Sequence, residues 1–450
     1  MIPRTSARRA ALRALVALET HDRPLAALLE DQQLAPEARP FAREISTQTV
    51  RHRARLDAAL APLLRRPLAK LDAPVRTALR LAACERLLLS TPLNAITDQY
   101  AELMRGEKLS SAVAFVNAVA RRLPEQFPPA QGNEAVRLSV EYSHPQWLIA
   151  RYLSRFGATE TQVLLAANNQ PALLCLRVNT LQASREAVLG ELSAAELDAA
   201  EGSVSPQAIL VRGGGSPVSW EAWRAGHIIA QDEAAQLVGL VASPQAHDLV
   251  VDAASAPGGK TTHLAELSGD TGQIIACDVA EGRLKLVRDN AARLGLHSIE
   301  TRAGDLRVLA EALPAPQMVL LDAPCLGTGT LRRRPDAKWR KTPEQLSELV
   351  SLQRELLDAA AQLVRRGGVG STLVYSTCSL EPEENEAQAR DFGARHPDFV
   401  LERPTHPALQ PFLTDEGHLQ TLPQRDGCDG AFAARWRYSG LPTGSNSAET

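Results

Sequence analysis

The chain has 450 residues, of which 44% are hydrophobic, 22% charged and 4% aromatic, with a formal net charge of −3. That length supports two or three domains with cores of their own, and the balance of apolar and charged residues excludes an extended disordered chain. No run reaches the roughly 18 uninterrupted apolar residues of a membrane span. The six cysteines (Cys84, Cys175, Cys277, Cys325, Cys378, Cys428) are scattered without a C-x-x-C pair or a disulfide framework, the pattern of reduced thiols in a cytoplasmic protein.

Met1 to Leu18 is Arg-rich and free of acids until Glu19, which superficially resembles a targeting segment. Arg13 interrupts its apolar stretch, however, and Ala10, Ala11, Ala14, Leu15 and Leu18 follow helical spacing, so the segment is read as a folded helix. The same periodicity runs from Ile45 to Leu64, from Val75 to Leu89 and from Ala112 to Leu123, with turn signals at Pro67, Pro74 and Thr91-Pro92. Residues 1–130 are therefore expected to form an all-helical bundle. They hold 20 Lys and Arg against 13 Asp and Glu, whereas residues 131–450 hold 29 against 39. A cationic segment of this kind is a candidate footprint for nucleic acid, although solvated arginines on surface helices are common.

The breaker-rich stretch from Phe127 to Asn133 marks a domain boundary. Residues 134–225 mix helices near 145–156, 159–168 and 184–192 with short strands near 173–178 and 208–211, which predicts a small α+β module. From 226 to 440 strands and helices alternate, and the alternation calls for a doubly wound, largely parallel, Rossmann-like sheet. Residues 441–450 read as a polar tail.

The chemistry concentrates in this last domain. Strand, glycine loop and helix succeed one another around Ala256-Pro257-Gly258-Gly259-Lys260, where glycines admit backbone N–H groups close to a ligand and the helix offers its positive end. The loop has neither the G-x-G-x-x-G nor the Walker A spacing, so NAD and ATP are disfavoured. S-adenosyl-L-methionine needs only places for ribose, adenine and a charged methionine tail. Asp278 closes the next strand, where a carboxylate can accept ribose hydroxyls, and Asp305 closes the one after, where it can face the adenine.

Two cysteines also close strands: Cys325 in Leu-Asp-Ala-Pro-Cys and Cys378 in Tyr-Ser-Thr-Cys-Ser. Cytosine C5 is too weak a nucleophile to accept a methyl group until a thiolate adds to C6, so strand-end thiols beside a methyl-donor site point to pyrimidine methylation. A single buried cysteine is more often inert. Arg332, Arg333, Arg334, Lys338, Arg340 and Lys341, interleaved with Trp339, follow Cys325 and read as phosphate clamps with a stacking platform for single-stranded RNA. Glu383, Glu384 and Glu386 read as an acidic helix N-terminus. His144, His227, His247, His263 and His297 show no metal-ligand spacing, and no metal is expected.

Residues 252–260, 322–325 and 375–385 resemble the successive motifs of bacterial 16S rRNA cytosine-C5 methyltransferases of the RsmB (Sun/Fmu) family. Arg51-His52-Arg53 and Phe115-Val116-Asn117-Ala118-Val119 are similar to the helical domain that this family shares with the antitermination factor NusB. The resemblance implies that Ala254, Ser255, Ala256, Pro257, Gly258, Gly259, Lys260, Asp278, Asp305 and Asp322 bind S-adenosyl-L-methionine or lie beside it. It implies further that Cys378 is the nucleophile, that Asp322 steadies the activated ring, and that Cys325 assists release of the methylated base. The implied partner is ribosomal RNA, bound by a monomer with no membrane association. Alternatives are a tRNA or 23S rRNA 5-methylcytosine methyltransferase, or a non-catalytic NusB-like RNA-binding factor. Three departures stand out: Ala254-Ser255 where the family usually has Cys-Ala, a longer glycine turn at 367–371, and Ala431 in place of the first of two phenylalanines.

Overall fold

A computed structural model describes residues 4–21 and 23–440, so residues 1–3 of the expected N-terminal helix and the polar tail at 441–450 lie outside the described residues. The chain divides into two compact units, one running to Gln170 and including Leu331–Lys341, the other comprising Pro171–Thr330 and residues from Thr342 onward. The division falls inside the 134–225 stretch that the sequence pattern groups together, because helices Glu134–Glu141 and Gln146–Asn169 pack with the first unit.

The first unit is helical. Its main helices, Arg4–Leu18, Arg39–Arg51, Arg53–Leu60, Ala73–Leu87, Leu93–Gly106 and Val113–Ala120, turn their apolar faces onto a common core. That core contains Leu12, Ile45, Leu56, Leu79, Ile96, Tyr100 and Val116. Each of the aliphatic side chains contributes about 1.5–3 kcal/mol through burial, and the helical spacing of apolar residues in the sequence is its trace. The periodic stretch from Ile45 to Leu64 is not one helix: it breaks at His52, whose φ of −108° and ψ of 19° end one helix and start the next. Part of the cationic character is neutralised internally. Arg8 Nε and NH2 donate to both oxygens of Glu85 at 2.6 Å, and Tyr100 adds a third hydrogen bond at 2.9 Å.

The strip after Cys325 behaves differently from the sequence expectation. Lys338 is buried in the first unit, donating from Nζ to the carbonyl of Arg51 (2.9 Å) and to Asn169 Oδ1 (3.3 Å). Trp339 Nε1 donates to the carbonyl of Val50 at 2.7 Å, and Arg53 lies over its ring. Neither side chain is therefore a free phosphate clamp or stacking platform. Helix termini leave carbonyls without helical partners, and the 39–51 helix end takes these two side chains as donors.

The second unit holds two sheets. A four-stranded antiparallel sheet has the order β2-β3-β1-β4, from β1 (Leu174–Val178), β2 (Asp198–Glu201), β3 (Ala208–Arg212) and β4 (Ile228–Ala230). The larger sheet comprises β5 (Leu249–Asp252), β6 (Gln273–Asp278), β7 (Ile299–Ala303), β8 (Met318–Asp322), β9 (Thr372–Thr377), β10 (Phe399–Glu402), β11 (Leu419–Thr421) and β12 (Ala431–Tyr438). Its order is β10-β12-β9-β8-β5-β6-β7, with β11 on β12; β5 to β9 run parallel and β10 to β12 pair antiparallel. Val251, Val319, Leu321, Leu373 and Tyr375 face one layer, and Val250, Met318, Leu320 and Val374 the other. Burial on both faces explains why these strands read as continuous apolar runs. After β5 the chain moves to β6 and β7 on one side and returns to β8 and β9 on the other. The crevice beyond the ends of β5 and β8 is thus the topological switch point where such sheets bind ligands.

Candidate active site

The strand ends deliver the expected residues to this edge. β5 leads into the glycine loop, whose Gly258 has φ 101° and would bring an added Cβ to 3.1 Å from the Val287 backbone, so only glycine fits. Thr262 Oγ1 donates to the carbonyl of Gly258 at 2.8 Å. Asp278, at the end of β6, is nearly buried, with Oδ2 accepting from Ala256 N at 3.3 Å and Oδ1 from Ala280 N at 2.9 Å. Asp305 caps the short helix Leu306–Leu309, and its carboxylate is held by Arg307 through N (2.9 Å), Nε (3.0 Å) and NH2 (2.5 Å).

Parallel pairing of β8 and β9 sets Asp322 opposite Ser376. Ser376 Oγ donates to Asp322 Oδ1 at 2.8 Å, and Lys260 Nζ donates to Asp322 Oδ2 at 2.7 Å. Burial opposes the Lys260 charge, but Asp322, by charge and hydrogen bond, and then Cys378 by charge raise its pKa, so the ammonium persists. Asp252 lies fully buried beneath, accepting from Thr261 Oγ1 at 2.6 Å. Burial pushes its pKa up to about 7 against the opposing hydrogen bond from Thr261, with the Asp322 charge adding to the rise.

The two cysteines are brought together, Sγ to Sγ 3.5 Å. Gly329 N donates to the carbonyl of Cys378 at 2.9 Å, and a Cβ on Gly329 would meet that oxygen at 2.8 Å and Gly430 O at 2.4 Å. The glycine is what lets the two loops touch. The hydrogen bond with Cys378, then burial, hold the Cys325 thiol well above its ordinary pKa, so Cys325 keeps its proton and can donate it toward the Cys378 sulfur. The other four cysteines, Cys84, Cys175, Cys277 and Cys428, are buried.

Glu384 departs from its expected role. The helix begins only at Glu386, and Glu384 is fully buried, accepting from Leu326 N (3.0 Å) and Gln353 Nε2 (3.0 Å). It anchors the residue after Cys325 instead of complementing a helix dipole. The sequence alone assigns no role to Asp252 or Ser376, although both lie inside the 252–260 and 375–385 motifs, nor to Arg177 and Asn179; the signal for the last two is a cation and an amide set at alternate positions in the otherwise apolar Leu-Cys-Leu-Arg-Val-Asn run.

The residues at the switch point fit S-adenosylmethionine. Ser255 Oγ is buried in the loop without a protein partner, and Val279 stands 71% exposed beside Asp278, an apolar face next to a carboxylate. Doubly wound sheet, glycine loop and strand-end acids together define an S-adenosylmethionine-dependent methyltransferase. Residues 239–437 match the family model described as 16S rRNA methyltransferase RsmB/F, residues 5–124 match the NusB family, and residues 144–218 match the ferredoxin-like domain of RsmF/B-like methyltransferases. The chain is 36% identical to the probable ribosomal RNA small subunit methyltransferase B of Synechocystis sp. over 90% of its own length and 92% of the relative's. It is 31% identical to the corresponding probable enzyme of Bacillus subtilis, over 97% and 100%. The crystal structure of PH0851 superposes with a TM-score of 0.83 at 29% identity, covering 97% of this chain and 99% of that one. The chain belongs to the 16S rRNA methyltransferase RsmB/F family. Among the described residues no helix is long and apolar enough to cross a membrane, and no group of three or more His, Cys, Asp or Glu is placed to hold a metal ion.

Proposed function

We propose that the protein methylates C5 of a cytosine in 16S rRNA through a covalent bond between Cys378 and C6. The observation that carries this reading is the Cys325–Cys378 sulfur pair, 3.5 Å apart, with the Lys260 ammonium close enough to Cys378 to raise its own pKa. Bound in the crevice, S-adenosylmethionine supplies a methyl carbon on a positive sulfur, which accepts the electron pair of C5.

Lys260 favours the thiolate of Cys378 electrostatically, and that thiolate forms the S–C6 bond while the C5–C6 π pair moves onto C5. Asp322, held in place by Lys260 and Ser376, meets the N3 and N4 edge of the ring, where in its protonated form it donates to N3 as negative charge builds there, or as the carboxylate it accepts from the N4 amino group and orients the ring. After transfer, C5 carries both its hydrogen and the new methyl group. Loss of that proton restores the C5–C6 double bond and expels the Cys378 thiolate. Cys325 is suited to this step, because the largest influence holding its proton is its hydrogen bond with Cys378. Once that sulfur is alkylated the influence falls away; Cys325 gives its proton to solvent and, as the thiolate, takes the proton from C5.

The test separates the thiols. Cys378→Ala should bind S-adenosylmethionine yet neither methylate RNA nor form an adduct, whereas Cys325→Ala should accumulate a protein–RNA band that survives SDS. The reverse pattern would make Cys325 the nucleophile. Activity retained in both variants would refute covalent catalysis by either, and bisulfite sequencing of 16S, 23S and transfer RNA from a deletion strain identifies the target.

A further inference from the structure

Arg177 has no exposed surface, yet it does not serve the core of its own sheet. On β1 its neighbours Leu176 and Val178 face the module core with Val188, Ile209 and Trp220, and alternation turns Arg177 to the opposite side. There its guanidinium grips the helix that follows the glycine loop. Nε and NH2 donate to the two oxygens of Glu266 at 3.0 and 2.6 Å, NH2 also donates to Thr262 Oγ1 at 3.0 Å, and NH1 donates to Gly259 O at 2.6 Å and to Gln231 Oε1. Two residues along, Asn179 Nδ2 donates to Leu294 O (2.9 Å), the end of the helix that starts beside Asp278. One face of β1, continued by the residue just after it, thus pins both helices that border the loop.

The bond to Gly259 O has a geometric consequence. A trans peptide is planar, with its C=O and N–H pointing in opposite directions, so fixing the Gly259 carbonyl fixes the direction of the Lys260 N–H. Thr262 does the same for the preceding peptide through Gly258 O, and Arg177 in turn holds Thr262. Stability alone is a poor reason for this arrangement, since a buried ion pair can often be replaced by apolar side chains without loss.

We propose that Arg177 is a positioning residue for the methyl donor: from the ferredoxin-like module it sets the peptide planes of the glycine loop, and the Lys260 side chain beyond them, in the orientation that receives S-adenosylmethionine. This rests on the reading that the 254–260 loop holds that donor. The module that carries β1 is thereby built into donor affinity.

The experiment uses the full-length enzyme. Arg177→Lys keeps the charge and loses the planar fork, and Thr262→Val removes the relayed hydroxyl with little change of shape. Val188→Ala, in the module core away from the loop, provides an equal or greater loss of thermal stability as a control. Arg177→Lys should raise KM for S-adenosylmethionine by about tenfold or more, with RNA Kd unchanged, and Thr262→Val should shift it in the same direction by a smaller factor. Val188→Ala should leave KM at the wild-type value. An unchanged KM in both loop variants, or an equal rise in Val188→Ala, would overturn the proposal. Should Arg177→Lys not fold, Thr262→Val against Val188→Ala decides alone. Absence of S-adenosylmethionine binding by the wild-type enzyme in calorimetry would instead refute the reading of the loop, independently of Arg177.

Discussion

Replacing Asp252 by Asn should change how the stability of the catalytic unit depends on pH. The carboxyl is fully buried at the end of β5, and burial lifts its pKa from 3.8 to about 7. A raised carboxyl pKa means that, between about pH 4 and 7, the unfolded chain has released this proton while the folded one retains it. Folding therefore weakens as pH rises through that window, and the contribution levels off above pH 7, where both states are ionised. A shift of about three units at 1.36 kcal/mol each amounts to roughly 4 kcal/mol at pH 8 relative to pH 4. Asparagine has no proton to lose, and its Oδ1 still accepts the hydrogen bond from Thr261. Asp252→Asn should match the wild type near pH 4.5 and exceed it by several kcal/mol at pH 8. Urea unfolding across pH 4.5 to 8, with hydrogen exchange of the Val250–Asp252 amides to localise the change, measures the difference. A difference between the two proteins that stays constant across this range would show that Asp252 ionises normally and that the argument from burial is wrong.

Two further outcomes are expected. Under native conditions at pH 8 iodoacetamide should modify Cys378 first and Cys325, which keeps its proton, more slowly, and it should spare the four buried cysteines, of which burial pushes Cys84 and Cys277 up to about 12; diamide should join Cys325 and Cys378 as a disulfide and abolish activity until a reductant is added. Mass spectrometry that found modified Cys84 or Cys277 in folded protein would count against this packing. On the helical unit Arg65, Arg66 and Arg122 are exposed, and Arg122 reaches Leu63 O at 3.4 Å, which brings it beside the segment that carries the other two. If they meet RNA phosphates, changing all three to Ala should reduce the slope of log K against log salt by about 2, and an unchanged slope would remove this face from the RNA interface.

How much of this was legible in the chain differs from residue to residue. Asp278, Asp322, Cys325 and Cys378 could be placed at one edge because parallel β-α alternation brings every strand end to the same side of a sheet, and the glycine loop marks the first turn. That much is local, a matter of period and punctuation. Local reading went astray where charge was judged without its neighbours. Lys338 and Trp339 look like an RNA clamp in sequence, but their partners, the carbonyls of Arg51 and Val50, lie 287 and 289 residues away. Glu384 looks like a helix-end acid, and only folding shows it buried against the backbone of Leu326. Arg177 stands out only as a cation in an apolar strand, and its role stays hidden because Glu266 is 89 residues distant. Which chemical groups stand at the ends of the strands follows from alternating short-range patterns, and these are written in the chain. Which of those groups touch, which keep their protons and which carry no function beyond packing was decided by the tertiary structure, because desolvation and pairing depend on what the rest of the chain brings within a few ångströms.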